Sequence, residues 1–156
     1  MKKTLGKKGF TLIELVTVIV IIAIVGTMAG MGLIQIANGY AMAKKSAVLA
    51  QQAQIALTRT AKEFSGIQSI SSAAPASITY TRSGVSHTLS WTGTDQPLTL
   101  DDDTLIDKVQ TFTLTYHNAY NASASSYSSA TAVIELTFQL KNADGSLQTF
   151  VQRTAL

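Results

Sequence analysis

The chain has 156 residues, 46% of them hydrophobic and 13% charged, and this length allows one domain plus an anchor rather than two full domains. It contains no cysteine, which excludes disulfide bonds, thiol catalysis and Cys-ligated metal sites. The formal net charge is +3, but four of the 12 basic residues are lysines in residues 1–9, and the other 8 face 9 acidic residues. General nucleic-acid binding requires a basic patch, so it is not expected.

The first predicted element is a basic segment, residues 1–9, followed by a long apolar stretch. No Asp, Glu, Lys or Arg occurs from Leu15 to Ala43. The 27 residues from Phe10 to Ile36 exceed the ~20 that an α-helix needs to span a bilayer. Because lysines flanking an apolar helix favour the cytoplasmic side, we expect the C-terminal part of the chain on the outer face of the membrane.

Three interpretations of this segment are open on the residues alone. The first is a secretory signal cleaved near residues 27–29, although the apolar stretch is longer than the usual ~7–15 residues. The second is an unprocessed membrane anchor, which leaves Glu14 unexplained because a central membrane acid costs roughly 2.5–3.5 kcal/mol and usually has a partner. The third is cleavage before the apolar stretch, which exposes an α-amino group as that partner.

Residues 7–15, Lys-Lys-Gly-Phe-Thr-Leu-Ile-Glu-Leu, resemble the cleavage and methylation motif of type IV pilins and type II secretion pseudopilins. In that family prepilin peptidase, a membrane aspartyl peptidase, cuts after the glycine and methylates the new N-terminal residue. The resemblance implies cleavage between Gly9 and Phe10, N-methylation of Phe10 and retention of the apolar helix. After cleavage, Glu14 lies one helical turn from the new ammonium group and is expected to pair with it or with that of a neighbouring subunit during assembly.

A continuous helix is predicted from Phe10 to Phe64, because the first proline is Pro75. Its second half is predicted to be amphipathic, with polar residues opposite an apolar face that covers the sheet. That face is predicted to contain Ala43, Ala47, Ala50, Leu57, Ala61 and Phe64, with Val48 and Ile55 beside them.

The remaining residues predict an antiparallel sheet of four or five strands, which makes the fold class α+β and pilin-like. Alternating residues around Ser83-Gly84 predict a hairpin, and further strands are predicted at 109–116, 133–140 and 147–151. Segment 119–132 is low in complexity and is predicted to be a mobile loop. The segments 91–116 and 132–156 also resemble strands of minor pseudopilins and minor pilins.

Few residues of the C-terminal part suggest chemistry. His87 is predicted on the apolar face of its strand, and His117 at a strand end in contact with solvent. Asp101, Asp102 and Asp103 are the only candidate metal ligands, since calcium prefers clustered carboxylates, but adjacent aspartates in a turn are more often solvated, so no metal site is predicted. No cofactor and no enzymatic activity are expected.

The predicted organisation is a removed leader (1–9), a membrane-spanning and filament-core helix (10–37), an amphipathic helix (38–64) and a β-rich periplasmic or extracellular head (65–156). We expect a minor pilin or pseudopilin of a type IV pilus or type II secretion pseudopilus. Its expected partners are prepilin peptidase, other pilin or pseudopilin subunits, the inner-membrane assembly platform and membrane lipid. The alternatives are a ligand-binding pilin for adhesion or DNA uptake, and an unprocessed membrane-anchored enzyme or binding domain.

Overall fold

One long helix dominates the N-terminal part of the computed structural model, which describes residues 9–156. Helix α1 runs from Leu12 to Phe64 over 53 residues. This agrees with the predicted helix except at its first two residues. Of the predicted leader, all but Gly9 lies outside the described residues.

The chain forms two compact units that divide within α1, between Ala41 and Met42. The first unit contains the apolar part of the helix. The second unit contains the rest of the helix together with all the strands.

Seven strands form one antiparallel sheet, in which each strand pairs with the next in the chain. The α+β class is therefore confirmed, but the prediction of four or five strands was wrong. The two strands that the sequence did not predict, β1 and β4, have only five residues each. The strands are β1 (Ser69–Ala73), β2 (Ser77–Arg82), β3 (Val85–Trp91), β4 (Gln96–Leu100), β5 (Asp103–His117), β6 (Val133–Lys141) and β7 (Leu147–Ala155).

Two tight turns of the sheet place non-glycine residues in the left-handed region. The predicted hairpin is formed by β2 and β3, and its turn residues Ser83 and Gly84 have φ angles of 53° and 79°. The turn between β4 and β5 has Asp101 at 53° and Asp102 at 68°. Positive φ at both central residues matches the right-handed twist of hairpin strands, and aspartate tolerates it better than most residues.

The core of the second unit lies between one face of the sheet and one stripe of α1. The buried helix residues follow a spacing of three or four, as expected for a single helical face. They are Ala53, Ala56, Leu57, Thr60 and Phe64. From the sheet, β5 and β6 contribute the longest buried rows, namely Phe112, Leu114 and Tyr116 with Ile134, Leu136, Phe138 and Leu140. Each fully buried large apolar side chain contributes about 1.5–3 kcal/mol to folding.

The predicted covering face of α1 was only partly correct. Leu57 and Phe64 are buried, but Ala43 and Ala47 are exposed. Ala50 and Ala61 are half-buried, and the buried Ala53, Ala56 and Thr60 were not predicted. The sheet therefore covers only about the last four turns of the helix.

The connection between β5 and β6 contains no strand, as predicted, but it is held by several contacts to the sheet. Ser125 N–H donates to the Tyr116 carbonyl at 2.8 Å, and Ala132 N–H donates to the His117 carbonyl at 2.9 Å. The Arg153 guanidinium donates to the Tyr120 carbonyl at 3.1 Å and lies over the Tyr120 ring. These contacts join the low-complexity segment to both β5 and β7.

Candidate functional site

The predicted processing site lies immediately before α1. Thr11 caps this helix, because its hydroxyl oxygen accepts a hydrogen bond from the Glu14 N–H at 3.3 Å. The Thr11 carbonyl also accepts from the Leu15 N–H at 3.2 Å, which closes the first helical turn. A helix that begins at Leu12 leaves the Gly9–Phe10 peptide bond outside its hydrogen-bonded part.

Both residues of the predicted scissile bond are exposed. The Phe10 side chain is 80% exposed. Within residues 9–156 and apart from its chain neighbours, no atom lies within 4 Å of the position that a Cβ at Gly9 would occupy. A peptidase needs an accessible backbone at the bond it cuts, and this bond lies before α1 between two exposed residues.

Glu14 lies in the first turn of α1, where a negative charge interacts favourably with the helix dipole. Among residues 9–156, no cationic side chain lies within 4.0 Å of its carboxylate. The side chains of its neighbours Ile13 and Leu15 are apolar and 70% and 57% exposed. Glu14 is therefore an acidic residue on an otherwise apolar helix surface.

The apolar part of α1 has the length and composition of a membrane span. Its most apolar stretch has a mean hydropathy of 2.6, and none of that stretch is buried by the rest of the protein. Large apolar side chains are exposed along it from Leu12 to Ile36. Such a surface is stable only in lipid or against other helices.

Residues 5–30 match the family model described as the prokaryotic N-terminal methylation motif. This match supports a type IV pilin-like protein. The motif implies that this pilin-like protein is processed by prepilin peptidase and assembles with other pilins, and proteins of this kind are structural rather than catalytic. Together with the one apolar helix found in residues 9–156, it is consistent with anchoring in the inner membrane. No curated protein and no solved structure matches the chain.

The acidic turn of the pilin-like protein, Asp101–Asp103, does not bring metal ligands together. One Asp101 oxygen lies 2.6 Å from the His87 Nδ1, and the other accepts from the Thr88 N–H at 2.8 Å. Within residues 9–156, no group of three His, Cys, Asp or Glu side chains has the arrangement of a metal site. Asp101 thus serves to hold the turn against β3.

Of the two histidines, His117 differs from its predicted environment, whereas His87 lies on the apolar face of its strand as predicted. His87 is half-buried beside the Tyr80 ring, with 5.7 Å between the ring centroids. His117 was predicted to be solvated, and this was wrong, since it is only 4% exposed. Its Nδ1 lies 2.9 Å from the Ala122 carbonyl oxygen, because the β5–β6 connection folds back over the end of β5.

Sequence reasoning did not single out Thr11, although a signal for it exists. The pattern Thr11-x-x-Glu14 before an apolar run is that of a helix capping box. A capping box has two hydrogen bonds, and the structure shows the one from the Glu14 N–H to the Thr11 hydroxyl. Thr11 therefore fixes where the helix starts relative to Gly9 and Phe10.

Proposed function

We propose that this pilin-like protein is a minor pilin or minor pseudopilin, a structural subunit of a type IV pilus or a type II secretion pseudopilus. Prepilin peptidase cuts the precursor between Gly9 and Phe10 and methylates the Phe10 amino group. The observation that carries the proposal is the position of these two residues, within the matched motif and outside α1. The cut leaves the entire apolar helix on the mature chain.

Glu14 acts in assembly under this proposal. Cleavage creates an ammonium group at Phe10, and Glu14 is four residues further along the chain. Opposite charges in a low-dielectric helix bundle attract strongly, and an unpaired charge there is costly. The carboxylate of one subunit therefore pairs with the ammonium group of a neighbour and sets the axial register of the filament.

Under this proposal the chain has four functional parts. Residues 1–9 are the removed leader, residues 10–37 span the inner membrane and later form the filament core, and residues 38–64 continue as the amphipathic helix. The head, residues 65–156, lies in the periplasm or outside the cell. The lysines of the leader keep the N-terminus cytoplasmic before extraction by the assembly platform.

The role is mechanical rather than catalytic. The head carries four basic and seven acidic residues, which does not favour DNA binding. The proposal is tested against two alternatives. One is a ligand-binding pilin for adhesion or DNA uptake, and the other is an unprocessed membrane-anchored binding domain.

Intact-mass measurement of the protein from its host tests the processing step. We expect a chain that begins at Phe10 and carries one extra methyl group. The variant Gly9→Val is expected to accumulate as precursor, because a β-branched residue restricts the backbone at the cut, while Gly6→Val serves as the control within the leader. A wild-type chain that begins at Met1, or beyond the apolar helix, would contradict the proposal. Recovery of the mature chain in sheared filaments tests the assembly step.

A further inference from the structure

The sheet has two edge strands, and only one of them is protected against pairing with another chain. The strand order makes β1 and β7 the edges. β1 has five residues, and its register with β2 shifts between Ile70 and Ser72. Short length and bulges are features that block further pairing. β7 has nine residues, no proline and an unbroken register with β6, so it offers a long, regular edge.

The hydrogen bonds at the two ends of the β6–β7 ladder show which backbone groups of β7 point outward. The Leu156 N–H donates to the Ala132 carbonyl at 3.0 Å, and the Asn142 N–H donates to the Ser146 carbonyl at 2.8 Å. Because the register between these two bonds is unbroken and bonded pairs alternate with unbonded ones, the even-numbered residues of β7 bond to β6. The odd-numbered residues direct their N–H and C=O groups away from β6, and we call these groups the open edge. They belong to Leu147, Thr149, Val151, Arg153 and Ala155.

The open edge is almost free of partners within the chain. Among residues 9–156, only the Arg153 carbonyl of this row accepts a hydrogen bond, from the Gln152 side-chain amide at 2.9 Å. The other groups recur at every second residue, which is the spacing that a further β-strand presents. The open edge therefore fits the backbone of an extended peptide.

Two side chains on the core face of β7 indicate what such a peptide must offer. Phe150 packs on Phe138 with 5.3 Å between the ring centroids, but it is only half-buried, since no strand follows β7. An apolar residue beside Phe150 would extend the cross-strand row that Phe112, Phe138 and Phe150 form. Thr154 is 8% exposed, and within the described part of the chain its hydroxyl has no hydrogen-bond partner. A polar group beside Thr154 would remove the cost of that unpaired hydroxyl.

We propose that the open edge of β7 binds an extended strand of a different protein, which becomes an additional antiparallel strand of the sheet. The backbone groups supply the affinity, and the side chains of alternate residues supply the specificity. The strand that fits has apolar residues on the core face, one of them beside Phe150, and polar residues on the outer face. This recognition of a partner goes beyond the proposed mechanical role of the chain.

A second copy of the chain fits the open edge less well than a different protein. Its β1 edge is short and irregular, so it does not match the nine residues of β7. Its own β7 edge would give a two-fold symmetric contact, which closes on two chains, whereas a helical filament is built from heterologous contacts. The choice of a different protein over a second copy therefore rests on the proposed filament function.

A synthetic peptide with the sequence of β6, residues 133–141, tests the open edge, because it has the required alternation. The peptide is added to the full-length chain in detergent micelles, and amide hydrogen exchange is followed residue by residue by NMR. The amides of Thr149, Val151 and Arg153 should exchange at least about tenfold more slowly with the peptide. The amides of Phe150 and Gln152 should be protected with and without it. Unchanged exchange at the three odd-numbered amides would overturn the proposal.

Two N-methylated forms of this peptide provide a matched control. The polar residues of the peptide are expected in its hydrogen-bonded pairs with β7, so methyl groups on the amides of Thr137 and Gln139 remove donors to the open edge. Methyl groups on the amides of Leu136 and Phe138 lie on the opposite edge of the peptide. The first form should lose the protection of β7 and the second should retain it. Equal effects of the two forms would contradict strand pairing.

The variant Val151→Pro tests the same edge from the side of the protein. It removes an outward N–H and no bond of the ladder, so the amides of β6 should stay protected while the peptide no longer slows exchange at Thr149. In the host, a photo-crosslinking residue in place of Thr149 should form an adduct with a different protein, identified by mass spectrometry, and at least about tenfold less of it when Val151→Pro is added. An adduct with a second copy, or none, would overturn the proposal. A chain that stays unprocessed would instead overturn the proposed function and leave peptide binding unchanged.

Discussion

His87 Nδ1 lies 2.6 Å from Asp101 Oδ2, and this contact joins β3 to the turn between β4 and β5. Partial burial acts to raise the pKa of Asp101, but hydrogen bonds from His87 and the Thr88 N–H, with the positive charges of His87 and Arg59, outweigh it. The pKa of Asp101 therefore lies below its ordinary value of 3.8. Two residues at positive φ, Asp101 and Asp102, are held in place by this contact.

Stability should consequently depend on the protonation of Asp101. Because its pKa is lower in the folded chain, the contact stabilises the fold above pH 3.8 and is lost as the pH falls through the folded-state pKa. The Asp101 side chain is 43% exposed, so solvent screening limits the contribution to at most about 1 kcal/mol.

Thermal unfolding of the detergent-solubilised chain, followed by the fluorescence of the single tryptophan, Trp91, measures this effect. Asp101→Asn keeps a residue that tolerates positive φ and should be less stable than wild type near neutral pH. The difference should shrink as the pH falls below 3.8, because the Asp101 carboxylate then becomes protonated. A constant difference across the pH range would show that the carboxylate charge is not involved.

The buried stripe of α1 predicts opposite outcomes for two neighbouring residues. Leu57 is 5% exposed and Ile55 is 60% exposed. Leu57→Ala should destabilise the second unit by about 2–5 kcal/mol, because it removes transfer free energy and leaves a cavity. Ile55→Ala should change stability by less than about 0.5 kcal/mol. Denaturant unfolding followed by Trp91 fluorescence compares the two, and equal losses would mean that the helix packs on another face.

The elements that the sequence predicted correctly are those with strong local signals. Alternation placed Phe112, Leu114 and Tyr116 on one face of β5, and the structure buries all three. β1 was missed because Ile70 is its only large apolar residue, so no alternation is visible. β4 was missed because it contains Pro97, where the register shifts since proline has no N–H to donate to the ladder.

The errors on α1 and His117 have a different cause, since both depend on long-range packing. Alanines occur on several sides of the helix after Ala41, so spacing alone does not distinguish Ala47 from Ala53. His117 is buried by a connection that sequence patterns do not position. The methylation motif could be recognised from the sequence because it is defined by the order of residues along the chain, and not by contacts made by the fold.

Thr11 should control the start of α1. Thr11→Ala removes the acceptor for the Glu14 N–H and should cost about 0.5–2 kcal/mol of local helix stability, whereas Thr11→Ser should retain the cap. Hydrogen exchange of the Leu12–Leu15 amides in the full-length chain measures this local opening. Exchange should be several-fold faster in the alanine variant and close to wild type in the serine variant. Unchanged exchange in both would show that the helix start does not depend on the hydroxyl.

Glu14 should matter for filament assembly and not for membrane insertion. Glu14→Gln and Glu14→Ala remove the charge that is proposed to pair with the Phe10 ammonium group, so each should insert normally but enter filaments at least about tenfold less than wild type. Thr17→Ala is the matched control, since the Thr17 hydroxyl is already satisfied by the Ile13 carbonyl at 2.8 Å within the same helix. Quantifying each variant in the membrane and in sheared filaments beside wild-type subunits separates the two steps. If both Glu14 variants enter filaments as readily as Thr17→Ala, the carboxylate does not set the register, and the apolar packing of α1 must do so alone.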